Sequence, residues 1–444
     1  MIKVVFPGTE LTELAKRFRA VSVESFAFAL ARPVRIGNDW RLLVTSIHEP
    51  GANEYEERTV FNVRPTAAFR LRMEKQARRH GMTLVYCHSH PLQAGMPVFS
   101  VTDDATEAAL APYARSRLGA VPHVSLLIGA QSATARAMAD PAPVSVFEIG
   151  RHVTSYLPGV PRPAGDEFER QIRAFGEAGQ RVIAALTVVI VGLGGTGSVM
   201  AQMLAHKGIR RFILIDPKCI SKTNRNRVAG SRPSDVGRAK VKVARRMIKS
   251  IAPDASVTIR QGDVLDAKVG PMALKGDFVF CCTDSHGSRS FLNQLAYQYY
   301  IPVIDMGVVI HVVDGRITHF GGRVQMLSPG LGCLVCRDGI LSADEVRWDL
   351  SSVEARVADP YFNTRVAIEQ PAVMSLNSAV VAQAGTMFLA AVAGIPSEAR
   401  SQVLRGMQGD TRRLDDAPRP GCVNCSADAF LGQGDRYLLP KRAI

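Results

Sequence analysis

The chain has 444 residues, 47% of them hydrophobic and 21% charged, which excludes a disordered protein and suggests two or three domains. No apolar run approaches the roughly 20 residues that cross a bilayer, and the opening MIKVVFPG lacks the apolar core of a signal peptide, so we expect no membrane contact and a cytoplasmic location. The net charge of +14 favours polyanionic partners such as nucleotides, but the basic residues are dispersed, and no nucleic acid is expected.

The elements follow in chain order. Residues 11–20 read as a short helix, 21–30 and 40–47 as strands, 65–80 as a basic helix and 83–87 as a strand. Residues 102–118 begin with N-capping Thr and Asp and read as a helix. A strand at 124–128 completes a mixed α/β unit over 1–156. "LPGVPRPAGD" concentrates Pro and Gly, so 157–168 reads as a linker. Strands at 188–191, 212–215, 257–261 and 278–282 then alternate with helices at 198–207 and 239–251, the pattern of a doubly wound parallel sheet. Residues 400–444 read as polar and irregular.

"CHSHP" (87–91) places His88 and His90 at i and i+2, on one face of an extended segment. "VFSVTDD" supplies Ser100 and Asp103 at a helix start that can fold back on them. Two imidazoles and one carboxylate leave a fourth position open on zinc, as in catalytic sites. The bland alternative is a pair of strand-end histidines. The combination His88-x-His90-Pro91 and Ser100-x-x-Asp103 resembles the JAMM motif of the JAB/MPN metalloproteases, isopeptidases that cleave after ubiquitin-like C-termini. The resemblance implies a zinc on His88, His90 and Asp103, Glu24 in "VSVESFAFAL" as general acid/base, and Ser100 stabilising the oxyanion. Glu49, Glu54, Glu56 and Glu57 are rivals for the base in a polar stretch. The segment "LQAGMPVF" is about two residues longer than the commonest form.

"VVIVGLGGTGSVMAQMLAHKG" is a strand, a glycine turn and a helix, with Gly192, Gly194 and Gly197 in GxGxxG spacing. Asp216 ends the next strand. By themselves these fit an NAD-linked oxidoreductase. Asn224, Arg227, Lys240 and Asp284, at the carboxyl ends of parallel strands, suit instead a triphosphate with Mg²⁺. Together they resemble the ubiquitin-activating-enzyme superfamily, including the ThiF-type and molybdopterin-synthase adenylyltransferases, over about 169–389. The resemblance implies that Gly192, Gly194, Gly195 and Gly197 shape an ATP site and Asp216 binds ribose. It also implies that Asn224, Arg227 and Lys240 engage phosphates, Asp284 holds Mg²⁺, and Arg170 is supplied across a homodimer interface. Lys218 stands where the family carries a second acid.

Cys333-x-x-Cys336 and Cys422-x-x-Cys425 form two CxxC pairs, the pattern of a structural zinc. Cys87, Cys219, Cys281 and Cys282 read as structural. No cysteine lies between Cys336 and Cys422, where full activating enzymes carry the acyl-accepting thiol. The adenylate would therefore pass to a sulfur donor or a conjugating enzyme, unless Ser351, Ser352 or Thr364 replaces the thiol; a neutral hydroxyl is the weaker nucleophile. The expectation is an N-terminal JAB/MPN-like domain (1–156) and a Rossmann-like adenylation domain (169–444). Together they would act on a ubiquitin-like or sulfur-carrier protein with ATP, Mg²⁺ and two zinc ions. A non-catalytic scaffold for such proteins is the rival from another class.

Overall fold

A computed structural model describes residues 1–93, 95–138, 140–158, 165–337, 340–358 and 371–443. The chain divides into two compact units, Met1–Val160 with Gly432–Tyr437, and Pro161–Leu431 with Leu438–Ile444.

The first unit contains β1 (Ile2–Pro7), α1 (Glu10–Arg19), β2 (Phe26–Ile36), β3 (Asp39–His48), β4 (Tyr55–Arg58), β5 (Val63–Pro65), α2 (Ala67–Arg79), β6 (Thr83–Ser89), α3 (Val101–Leu118), β7 (Val124–Ile128), β8 (Ala133–Ala137), β9 (Asp140–Ile149) and β10 (Val153–Tyr156). Eight of these strands form one sheet in the order β1-β3-β2-β6-β7-β8-β9-β10. The sheet also pairs β1 with β9, in parallel, so it closes on itself.

Period-2 alternation sorts β2 between two cores. Ala27, Ala29 and Ala31 pack with Leu11, Leu14 and Phe18 of α1 on one face. Phe26, Phe28 and Leu30 pack with Phe69 and Met73 of α2 and Ala111 of α3 on the other. In β6, Val85 and Cys87 join the first core, and Leu84 and Tyr86 the second. The same alternation turns His88 toward the face that α3 covers.

The second unit contains α4 (Glu169–Ala185), β11 (Thr187–Val191), α5 (Gly195–Lys207), β12 (Arg211–Ile215), α6 (Lys240–Ile251), β13 (Ser256–Arg260), β14 (Phe278–Cys281), α7 (His286–Gln298), β15 (Val303–Val313), β16 (Arg316–Leu327), α8 (Ala343–Leu350), α9 (Val353–Ala358), α10 (Met374–Val392), β17 (Ser401–Arg405) and β18 (Asp410–Arg413). Its sheet order is β13-β12-β11-β14-β15-β16-β17-β18. The first five strands are parallel. The last three continue the sheet antiparallel. The strand order reverses between β11 and β14, the place where open α/β sheets bind ligands.

Two expectations need correcting. The four parallel strands expected are β11 to β14, which β15 to β18 extend, but residues 400–444 are not all irregular, because β17 and β18 form the sheet's edge. The expectation that no apolar run approaches membrane-spanning length also needs amending. Among the described residues α10 is long and apolar enough by length and composition, with a mean hydropathy of 1.3. Val380, Ala384, Met387 and Phe388 of α10 are buried, and the helix packs on α5, β15 and β16, as the core helix of a folded unit does.

Candidate functional site

In the first unit β2 pairs antiparallel with β6, Phe26 opposite His88. Continuing that register past the strand sets Ser25 opposite Ser89 and Glu24 opposite His90. The Ser89 amide donates to the Ser25 carbonyl at 3.1 Å. Glu24 thus sits just before β2, on a segment without strand pairing of its own, rather than on the strand as expected. Its amide donates to the Thr59 carbonyl at 2.8 Å, and Arg58 Nε donates to the Glu24 carbonyl at 3.1 Å.

His90 Nε2 lies 3.5 Å from Glu24 Oε1 and 3.5 Å from Asp103 Oδ2. His88 Nε2 lies 3.1 Å from Asp103 Oδ1. All four side chains are largely buried. Burial first, and then the Asp103 charge, push the Glu24 carboxyl up to about 7, the range in which a carboxylate can take and return protons near neutrality. Burial pushes the Asp103 carboxyl up, but the His88 imidazole facing it and the two hydrogen bonds from Ser100 hold it well below the usual carboxylate range.

The donor set fits a metal ion. His88 Nε2 is buried and makes no well-aligned hydrogen bond, although a carboxylate oxygen faces it. Ligand atoms of His88, His90 and Asp103 lie within 4.8 Å of one another. A tetrahedron with arms of about 2.0–2.1 Å has edges of about 3.4 Å, close to the spacings found. His88, His90 and Asp103 would hold the zinc.

Ser100 is the N-cap of α3. Its Oγ accepts from the Asp103 amide at 3.1 Å and donates to Asp103 Oδ2 at 2.8 Å, while its amide donates to the same oxygen at 2.6 Å. The hydroxyl's one hydrogen is therefore directed at the carboxylate, so Ser100 orients Asp103 here. Two residues of the segment before it are tied together. Gln93 Nε2 donates to the Val98 carbonyl at 3.1 Å, and its Oε1 accepts from the Val98 amide at 2.8 Å. The rival glutamates are tied up in surface ion pairs, Glu49 with Arg17, Glu54 with Arg72, and Glu56 and Glu57 with Arg64.

In the second unit the glycine loop joins β11 to α5. Gly192 has φ +88°, and a Cβ there would stand 2.6 Å from the Cys282 carbonyl oxygen. A Cβ at Gly197 would collide with the Gly192 carbonyl, one at Gly195 with the Asn377 amide, while one at Gly194 meets nothing. Gly192 and Gly197 thus make the turn, and Gly194 faces open space. Asp216 Oδ2 accepts from the Leu193 amide at 2.6 Å and Oδ1 from the Lys218 amide at 2.7 Å, leaving a lone pair on each oxygen for a ribose.

Lys240, at the start of α6, is buried. Burial lowers its pKa first; Asp216 and Asp284 raise it, and Lys218 and Arg227 lower it. Contacts bring the five charged groups to the carboxyl edge of the sheet: the Lys218 amide donates to Asp216, the Lys240 amide donates to the Lys218 carbonyl, Lys218 Nζ lies 3.9 Å from Asp284 Oδ2, and Arg227 Cδ lies 3.5 Å from where a Cβ on Gly195 would stand. Arg227 Nη1 donates to the Thr223 carbonyl at 2.6 Å, and Asn224 Oδ1 accepts from the Ser221 amide at 3.3 Å, shaping the turn between them. Arg170 is not brought to this cluster. Its neighbour Gln171 donates to the His206 carbonyl, at the far end of α5 from the glycine loop, roughly 17 Å away along the helix. Asn377, buried against Gly195 from α10, escaped sequence reasoning; a polar residue near the start of an apolar helix was its only signal.

Cys333, Cys336, Cys422 and Cys425 converge. Cys333 and Cys422 sulfurs lie 3.5 Å apart, Cys336 and Cys425 3.5 Å, Cys333 and Cys336 3.7 Å. Zinc–thiolate arms of about 2.3 Å imply edges of about 3.8 Å, so all four would hold a zinc. The Arg419 amide donates to Cys336 Sγ at 3.3 Å, a contact that favours thiolate. The Cys333 thiol is pulled down to about 5, chiefly by the hydrogen bond from Cys425. Cys281 and Cys282 are buried, which drives their thiols far up; Cys219, in contrast to its structural reading, is exposed. Ser351 Oγ donates to the Arg347 carbonyl and Ser352 Oγ accepts from the Ala355 amide, so both hydroxyls serve helix ends; Thr364 lies outside the described residues.

Residues 168–427 match the model of the ThiF family, more than half of the chain. The chain belongs to the ThiF family. As a ThiF-family chain it is similar to the sulfur carrier protein ThiS adenylyltransferase of Escherichia coli (strain K12), 26% identical over 233 residues, 52% of this chain and 87% of that protein. It is similar to the molybdopterin-synthase adenylyltransferase of Salmonella typhimurium, 31% identical over 158 residues, 35% of this chain and 63% of that protein. It is also similar to ubiquitin-like modifier-activating enzyme 5 of Drosophila persimilis, 30% identical over 173 residues, 36% of this chain and 43% of that protein. The match thus spans less than half the length of the Drosophila relative. The microcin C7 biosynthetic enzyme MccB, solved with N-formylated MccA, shares the fold, with 17% identity and a TM-score of 0.50 over 59% of this chain and 75% of that one. The family match begins at residue 168, so the site of the first unit rests on its own geometry.

Proposed function

We propose that this chain is a bifunctional enzyme for the carboxyl terminus of a ubiquitin-like or sulfur-carrier protein. The observation that carries the reading is the cluster of Asp216, Arg227, Lys240 and Asp284 around the glycine loop in a ThiF-family chain. The family's relatives include enzymes named for adenylating a sulfur carrier and for activating a ubiquitin-like modifier, and by likeness this chain adenylates such a protein.

In that reaction a carboxylate oxygen of the carrier's C-terminal glycine attacks the α-phosphorus of ATP, and pyrophosphate leaves with the bridging electron pair. Lys240 and Arg227 offset the charge that builds on the phosphates. Asp284 would hold Mg²⁺, which neutralises phosphate charge when bound. With no cysteine between Cys336 and Cys422, the acyl-adenylate passes to a nucleophile outside the chain, a sulfur donor or a conjugating enzyme's thiol. We further propose that the enzyme acts in the cytoplasm as a homodimer, the arrangement in which Arg170 could serve a partner's site.

The first unit, about 1–156, is proposed as a JAB/MPN-like isopeptidase that trims the carrier's C-terminal extension or removes the carrier from conjugates. His88, His90 and Asp103 would hold a zinc, which when bound would supply Lewis-acid polarisation and lower the pKa of water. Glu24 takes a proton from the attacking water and returns it to the leaving amine.

The adenylation reading is tested by ATP–pyrophosphate exchange. Exchange is expected only with a ubiquitin-like partner bearing a free C-terminal glycine, and Asp284→Ala abolishes it. Exchange that survives Asp284→Ala would sink the site assignment. Thermal protection by NADH and not by ATP would point to an oxidoreductase instead. No bound zinc and no turnover would leave a binding scaffold.

A further inference from the structure

We propose that Lys218 is the residue that reads the β- and γ-phosphates, and so separates ATP from AMP, in the nucleotide site of the second unit. The inference rests on the adenylation reading above.

The main chain holds Lys218 in place. Its amide donates to Asp216 Oδ1 at 2.7 Å, and its carbonyl accepts the Lys240 amide at 3.1 Å. The adjoining Cys219 bridges to Ala239. The Cα is thus fixed just past the carboxyl end of β12. From there the side chain reaches Asp284, with Nζ 3.9 Å from Oδ2. Asp284 lies just past β14. The strand order is β12-β11-β14, so a side chain joining those two ends must arch over the end of β11, where the glycine loop begins. The span is two strand spacings, about 9.5 Å, which a lysine and an aspartate together can cross.

This contact contributes little to stability. The Lys218 side chain is 64% exposed and the Asp284 side chain 89%, and ion pairs between exposed side chains add little to stability. What the arrangement does is aim a second ammonium into a space that already holds Lys240 and Arg227. Three cations face two carboxylates, Asp216 and Asp284, before any ligand enters. Gly194 opens onto free space in the same loop. A polyanion laid over the loop satisfies this excess. On its arrival Lys218 exchanges Asp284 for phosphate oxygens, and the Asp284 carboxylate is released to a divalent cation. Lys218 extends toward Asp284, away from Asp216, the proposed ribose partner, so it meets the far end of the triphosphate. A nucleoside monophosphate does not reach that far.

The test is nucleotide binding to the full chain, measured by calorimetry for ATP and for AMP, each with Mg²⁺ and with EDTA. Lys218→Met should weaken ATP roughly tenfold, the scale of one lost charge-assisted hydrogen bond, and leave AMP affinity unchanged. Lys218→Arg should restore ATP binding. The wild-type advantage of ATP over AMP should persist in EDTA and be lost there in Lys218→Met. Equal ATP affinity in wild type and Lys218→Met would overturn the proposal, as would a parallel loss of ATP and AMP. A wild-type protein that binds neither nucleotide would overturn the adenylation reading itself, and this inference with it.

Discussion

At the scale of single residues, the two candidate centres are assembled by different devices. Glu24 reaches His90 because an antiparallel register, fixed at Phe26 and His88, continues two residues beyond the strand. Asp103 reaches both histidines because Ser100 caps α3 and takes hold of its carboxylate. The Glu24 carboxyl is raised by burial and by Asp103 to about 7, the range in which a carboxylate can exchange protons near neutrality. Glu24→Gln should abolish cleavage of a C-terminally extended carrier and leave both the zinc content and ATP–pyrophosphate exchange intact. Parallel kinetic and metal measurements check this, and loss of exchange in that variant would argue against separate sites. His88, His90, Ser100 and Asp103 were legible as a spaced set. The redirected Ser100 hydroxyl was not, because a side-chain torsion is decided by the local cap and not by spacing.

Secondary elements explain which glycines matter. The turn from β11 to α5 closes so tightly that a Cβ at Gly197 runs into the Gly192 carbonyl, whereas Gly194 has no neighbour within reach. Gly197→Ala should therefore lower stability by about 2 kcal/mol or more through forced backbone movement. Gly194→Ala should fold normally yet lose nucleotide affinity, because its methyl group would stand where a phosphate approaches. Denaturant unfolding and ATP titration separate the two effects. Strand 124–128 and helix 198–207 could be read closely from periodicity and caps. The hairpin of β15 and β16 could not, because β15 passes from a buried to an exposed environment along one strand and no single alternation runs through it.

For the molecule as a whole, each unit carries one group of residues spaced to hold a metal ion, and the proposed function gives a count that can be checked. The wild-type chain should hold two zinc ions by elemental analysis. Cys333→Ser should remove one and destabilise the second unit by more than about 3 kcal/mol, since a structural zinc is folding free energy. His88→Ala should remove the other with a smaller loss of stability, and each variant should retain the ion of the opposite unit. Loss of both ions from either single variant would contradict independent sites.

The sequence alone determined the chemistry on offer, namely the residue types and spacings of the histidine pair, the glycine loop, the charges that follow it and the two CxxC pairs, because those depend on neighbours a few positions apart. Tertiary structure decided which of them meet. Closure of the first sheet through β1 and β9, the convergence of the two CxxC pairs, the seat of Asn377 on Gly195 and the reach of Lys218 across β11 all join residues far apart in the chain. Such pairings are selected by the packing of a whole core, and local periodicity carries no record of them.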